Sequence, residues 1–217
     1  MVFGLGVRHG FDLDHLATID SITRTLKANS HLSKRVGFLF SLGHGIVVIL
    51  TSLLISNGFF HAALPLWLES FGNWVSIVFL FIFGFLTLWN LSSNAPTYNY
   101  SIRKIPFIGH SRPYNSFLII LVGALFAFSF DTFTQVVLFS ISLSGQVKWY
   151  FSIILGITFM SGMMTSDGLN GLLVASLIRC ADKSSMTIAR LIGLLIAGFS
   201  LILGLQELLK QLVNTKF

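Results

Sequence analysis

Long, uninterrupted apolar runs separated by short basic stretches constrain this chain more than any other feature. A helix of about 20 apolar residues crosses the hydrocarbon core of a bilayer, and about six segments reach that length. They fall near 3–26, 36–57, 73–92, 116–143, 149–178 and 187–209. Only 10% of the residues are charged and 54% are hydrophobic, whereas a soluble domain carries about 25% charged residues. The runs are continuous and lack the strict alternation of a transmembrane barrel. The expected fold is therefore all-α, a polytopic membrane helix bundle of about six transmembrane helices. It forms a single transmembrane domain over 1–217, a multi-pass protein of the cell membrane with the lipid bilayer around it.

The net charge of +6 does not point to nucleic acid, because the basic residues form no patch. They lie in the connections instead. Arg24, Lys27, Lys34 and Arg35 surround the first, Arg103, Lys104 and Arg112 the third, and Arg179, Lys183 and Arg190 the fifth. The opposite side holds only Arg8, Lys148, Lys210 and Lys216. This asymmetry puts the first, third and fifth connections in the cytoplasm and both ends outside. An outside amino end with no visible signal peptide leads us to expect a further helix upstream. Segment 93–115, with Pro96, Pro106 and Pro113, reads as a cytoplasmic loop joining halves 1–92 and 116–217. Three spans in each half permit an inverted three-plus-three repeat. The single cysteine, Cys180, excludes an internal disulfide framework and a multi-cysteine metal site.

Against this apolar background the polar groups stand out. Arg8-His9-Gly10-Phe11-Asp12-Leu13-Asp14-His15 places two histidines and two carboxylates in the first span. Asp20, Asp131 and Asp167 also lie within spans, and no lysine falls mid-span to neutralise them. A buried carboxylate without a cationic partner either protonates or binds a cation. Carboxylate oxygen beside imidazole nitrogen suits a borderline divalent transition metal. In a regular helix of about 100° per residue, His9, Asp12 and His15 share one face of about 120°, and Asp14 lies about 140° from His9. Either Gly10 permits local unwinding, or Asp14 acts indirectly by orienting an imidazole. His44, between Gly43 and Gly45, can approach a neighbouring helix and becomes a further candidate ligand.

Two later segments carry polar residues at membrane depth: Phe128 to Gln135, with Asp131 and Thr132, and Gly162 to Gly171, with Asp167 and Asn170. We take Asp131, Thr132, Gln135, Asp167 and Asn170 as candidates for a translocation path, on a broken or closely packed helix. Met160, Met163 and Met164 could offer thioethers to a soft ion, but packing is their commoner role. His31, His61 and His110 read as surface residues. The phenylalanines read as lipid-facing or packing groups.

Together these segments resemble the nickel/cobalt transporter (NiCoT) family of metal permeases. Its H-x4-D-H signature is matched by His9, Asp14 and His15, and Leu16 to Arg24 is similar to its extension. Ser41-Leu42-Gly43-His44 is similar to a second motif, Phe130-Asp131-Thr132 to a third, and Gly162-Met163 with Asp167 and Gly171 to a fourth. Ser129, Phe133 and Gln135 stand where the family has glycine, alanine and glutamate, and Gly168 and Asn170 where it has threonine and aspartate. Family members typically have about eight helices, and this chain resembles the stretch from the second to the seventh.

The resemblance implies a membrane permease for uptake of divalent nickel and/or cobalt, not an enzyme. The ion would be a transported substrate, and no cofactor is implied. His9, Asp12, Asp14, His15 and His44 would hold it near an outer entrance, with the candidate path residues leading inward. Protons compete with metal for imidazole, so uptake should fall as pH drops toward about 6.5. The alternatives are an intramembrane metal-dependent hydrolase using the same histidines, and an inactive or truncated transporter paralogue. The sequence does not choose between nickel and cobalt, and leaves the oligomeric state open.

Overall fold

The computed structural model describes residues 1–26, 29–57, 66–92, 116–128, 149–179 and 183–214. Helix is the only regular structure among them. In chain order the helices are α1 (Val2–Gly10), α2 (Leu13–Thr25), α3 (Ser30–Ser33), α4 (Val36–Ser56), α5 (Leu66–Ser92), α6 (Ser116–Phe126), α7 (Trp149–Arg179) and α8 (Lys183–Asn214).

Four stretches are long and apolar enough to cross a membrane: Val36–Ser56, Ser70–Trp89, Trp149–Ile178 and Gly193–Val213. They match the second, third, fifth and sixth expected spans to within a few residues, and the chain is a multi-pass membrane protein. Large apolar side chains point outward where water would penalise them, among them Trp89, Leu173 and Leu195. Such a surface is at home in lipid. The fourth expected span is represented by α6 and by Ala127 and Phe128. Asp131, Thr132, Gln135, loop 93–115 and Cys180 lie outside the described residues.

The first expected span is not one helix. α1 ends at Gly10, and the chain turns through Phe11 and Asp12 before α2 begins. The turn is closed by backbone hydrogen bonds from Phe11 N–H to Arg8 O (3.0 Å) and from Asp12 N–H to His9 O (2.9 Å). Asp12 is extended (φ −63°, ψ 144°) and starts α2 without a side-chain cap. Its carboxylate instead accepts from His9 Nδ1 at 2.8 Å. Asp14 takes over the local role, accepting the His15 backbone N–H at 2.9 Å, and its charge in the first turn favours the helix dipole. At 1.5 Å per residue, α1 and α2 run about 14 and 20 Å, so the pair has the reach of one crossing. Gly10 keeps helical backbone, and its missing side chain serves close approach instead. A Cβ there would collide with Ser166 Oγ and press on Asp167.

α7 lies at the centre, against α4, α1 and α2, while α5 pairs with α8 and α6 with α4. Glycines set the spacing of the inner helices. Gly6 on α1 faces the Phe159 carbonyl on α7, and Gly37 on α4 faces the Asp167 carbonyl. Gly43 on α4 and Gly123 on α6 face the carbonyls of Ile120 and Phe40 respectively. The outer helices are tied by hydrogen bonds, which helices in lipid use in place of hydrophobic collapse. Ser200 donates to the Leu80 carbonyl (2.9 Å), Gln211 donates to Ser70 (2.8 Å), and Ser21 and Thr87 share a bond of 3.0 Å.

Two apolar clusters fill the interior. One surrounds Ile19, Ile22, Leu26, Val36, Phe40 and Phe126, at the end where α2 finishes and α4 begins. The other joins Val48, Ile55, Ala127, Phe159 and Met163, at the opposite end of α4. The polar groups lie between them.

Candidate metal centre

The break in the first span brings its two histidines together. His9 occupies the last turn of α1 and His15 the first turn of α2, so each approaches the turn from its own helix. His44, halfway along α4, completes the group. Ring centroids are 4.6 Å apart for His9 and His15, 5.0 Å for His9 and His44, and 4.9 Å for His15 and His44. Each histidine offers one nitrogen lying within 4.8 Å of the other two. All three side chains are only 1% exposed, so the cluster is enclosed rather than set in an open outer mouth.

Carboxylates hold two of the rings. His9 Nδ1 bonds Asp12 Oδ2 at 2.8 Å, and His15 Nδ1 bonds Asp167 Oδ2 at 3.2 Å. An ionised carboxylate only accepts, so each Nδ1 carries a proton, and each ring in its neutral form keeps an Nε2 lone pair for a metal. His9 Nε2 lies 3.2 Å from His44 Nε2. A metal–nitrogen bond of about 2.1 Å sets neighbouring ligand nitrogens about 3.0–3.4 Å apart. The pair is therefore already spaced for a shared ion. Imidazole backed by carboxylate is the usual arrangement at metal sites, since it fixes the tautomer and raises ligand basicity.

Asp167 is itself held. Ser41 Oγ, one turn before His44 on α4, donates to Asp167 Oδ2 at 2.6 Å. The other oxygen, Oδ1, is buried without a hydrogen-bond partner among the described residues and faces Gly10. Neither the role of Ser41 nor this pairing is visible in the sequence, where Ser41 is only a motif residue three positions from His44. Asp167, a candidate for the path, sits against His15.

The other candidates divide. Asp12 touches the cluster through His9, and is a third exposed. Asp14 turns its carboxylate to the backbone rather than to the imidazoles. Asn170, one turn beyond Asp167, is half-buried, and its Nδ2 has no hydrogen-bond partner among the described residues. Asp20 departs from the expectation that the span carboxylates lack cations, since Arg24 one turn on bonds it at 2.6 Å.

A family described as high-affinity nickel-transport protein (NicO) matches residues 1–216. The chain belongs to the NicO family. Among its relatives is the nickel transporter NicT of Mycobacterium tuberculosis, 30% identical over 200 residues, covering 78% of this chain and 54% of NicT. The nickel transporter NixA of Staphylococcus aureus is 31% identical over 202 residues, covering 80% of this chain and 60% of NixA. The cobalt transport protein NhlF of Rhodococcus rhodochrous is 41% identical over a shorter stretch of 58 residues, 27% of this chain and 16% of NhlF. The match to these NicO relatives thus spans little more than half the length of the longer-matched ones. No solved structure matches the chain.

Proposed function

We propose that this protein is a permease of the cell membrane that takes up divalent nickel or cobalt, and that His9, His15 and His44 bind the ion during transfer. The observation that carries the reading is the convergence of three buried imidazoles from three helices, with nitrogens within 4.8 Å of one another. Three imidazole nitrogens suit a borderline divalent ion better than Mg²⁺ or Ca²⁺, which prefer oxygen; His9 and His44 already stand at ligand spacing, 3.2 Å apart, and His15 closes in on the ion to complete the set. Membership of a nickel-transport family favours transport over the hydrolytic alternative, so the metal is cargo and not the centre of an enzyme.

The carboxylates have distinct parts. Asp12 and Asp167 orient His9 and His15 through Nδ1 and offset the charge of the ion. Asp14 supports the start of α2. Asp131, Thr132, Gln135 and Asn170 stay candidates for the onward route. The experiment is direct: cells expressing the chain should accumulate radioactive nickel or cobalt above vector controls, and His44→Ala should bring accumulation back to the control. Equal accumulation with and without the protein would refute the reading.

The orienting role makes a graded prediction. Removing the hydrogen-bonded partner of a ligating imidazole typically weakens metal binding by about 10–100-fold, so Asp167→Asn should fall in that range. Ser41→Ala removes one hydrogen bond to a carboxylate, worth about 1.5–3 kcal/mol, but leaves the bond between Asp167 and His15. Its effect on nickel affinity should be smaller than that of Asp167→Asn, and Ser41→Thr should restore most of it. Equilibrium dialysis of nickel against the purified variants checks the order.

A further inference from the structure

The histidine layer lies between two separate apolar clusters, and each cluster places one aromatic ring against it. Phe40, one turn before His44 on α4, packs its ring 5.0 Å from that of His15. Behind it stands Phe126, at 5.6 Å. On the other side, Phe159 of α7 lies 5.4 Å from the His9 ring. Both Phe40 and Phe159 are fully buried, at 0% exposure. Along α4 the large buried side chains run Val36 and Phe40, then His44, then Val48 and Ile55, with the small hydroxyls of Ser41, Thr51 and Ser52 between them. An ion at the histidines would meet one of these two rings on either side, with buried hydroxyls further along, Thr18 and Ser41 towards the start of α4 and Ser52 towards its end.

We propose that Phe40 and Phe159 are the two gates of the ion site, Phe40 closing the cytoplasmic side and Phe159 the outer side. The inference rests on the permease reading and on the charge-based orientation, which puts Arg24, Lys34 and Arg35 in the cytoplasm. Those basic residues lie at the Phe40 end of the bundle. A charged ion does not pass a buried aromatic ring packed against its ligands, because its desolvation there is too costly. Entry therefore requires the Phe159 cluster to part, and release requires the Phe40 cluster to part. Opening both at once would leave a continuous leak across the membrane, so the two rings move in alternation. Each ring is held by different neighbours. Phe40 sits where α4 crosses α6 at Gly43 and Gly123, and Phe159 where α1 crosses α7 at Gly6. The two sides can thus open separately, by movement of α6 or of α1.

The test reads access to the site from each face and needs no nickel. In the full chain with its single cysteine removed (Cys180→Ser), one new cysteine is placed on each side of the histidines. Val48→Cys reports the outer side and Thr18→Cys the inner; both positions are buried, at 1% and 0% exposure. The variants are reconstituted in vesicles of defined orientation and treated with a membrane-impermeant maleimide. Phe159→Ala should raise labelling of Val48→Cys from the outer face at least tenfold and leave Thr18→Cys protected. Phe40→Ala should do the reverse, from the cytoplasmic face. Phe159→Leu and Phe40→Leu, which refill most of the space with hydrocarbon, should restore protection. Unchanged labelling in both alanine variants would overturn the proposal. So would labelling of both cysteines in either variant, or leucine variants that label like alanine. Sided labelling in a chain that accumulates no nickel or cobalt would refute the cargo and keep the gates. Nickel uptake without sided labelling would refute the gates and keep the cargo.

Discussion

His9→Ala and His15→Ala are each expected to abolish nickel uptake and to weaken nickel binding by more than 100-fold, with the protein still inserted in the membrane. The lower bound comes from the orienting carboxylates. Loss of such a partner costs about 10–100-fold in metal affinity, and loss of the ligand itself must cost more. Each substitution removes one contact with a phenylalanine ring, His9 with Phe159 and His15 with Phe40, but leaves the remaining members of both apolar clusters and the helix crossings at Gly6, Gly37 and Gly123 in place. The expected result is therefore normal membrane yield and normal chromatographic behaviour, with uptake at the vector level. His9→Gln and His15→Gln fill more of the space than alanine and should fail equally, which separates loss of a ligand from loss of packing. Normal accumulation in both alanine variants would refute the assignment of the site.

Which parts of this arrangement the sequence reveals follows from the range of the interactions involved. The membrane helices are legible because one-dimensional length and apolarity determine them, and α4, α5, α7 and α8 fall close to the expected spans. The three histidines are legible because an ionisable group at membrane depth needs a partner. The break between Gly10 and Leu13 is harder to foresee. Periodicity in a regular helix puts His9, Asp12 and His15 on one face, but the chain achieves the convergence by turning at Phe11 and Asp12. Asp12 has the extended backbone usual for the residue that begins a helix, and its carboxylate turns back to His9. The link from Asp167 to His15 spans 152 positions and depends on the crossing of α2 with α7, which no local pattern encodes. Ser41 is invisible for the same reason. Asp20 illustrates the opposite error: a search for mid-span lysines overlooks Arg24, one helical turn away and long enough to reach it. Phe40 and Phe159 read as ordinary packing residues, and only their position against the histidines distinguishes them.

The second large effect is expected at the glycine crossings, where helix propensity and packing oppose each other. Replacing glycine by alanine inside a helix favours the helix by about 1 kcal/mol. Where nothing lies nearby this term decides the sign. At Gly4 on α1 and Gly198 on α8 an added Cβ would meet no heavy atom of the described residues within 4 Å, so Gly4→Ala and Gly198→Ala should be neutral or mildly stabilising. At Gly6, Gly37 and Gly123 the same Cβ would run into the backbone carbonyls of Phe159, Asp167 and Phe40. Backbone in a packed helix cannot swing aside as a side-chain tip does, so whole helices must separate. Overpacking by a methyl or methylene typically costs about 1–3 kcal/mol, sometimes more, which exceeds the propensity gain. Gly37→Ala should be especially damaging, because the carbonyl it displaces belongs to the residue that orients His15. Thermal unfolding in detergent should place Gly6→Ala, Gly37→Ala and Gly123→Ala well below the parent, and Gly4→Ala and Gly198→Ala at or above it. Larger side chains sharpen the contrast. Gly37→Leu should leave little folded protein, whereas Gly198→Leu should fold and take up nickel like the parent. If Gly37→Leu were as stable as Gly198→Leu, the close approach of α4 to α7 would be wrong, and with it the contact between Ser41 and Asp167.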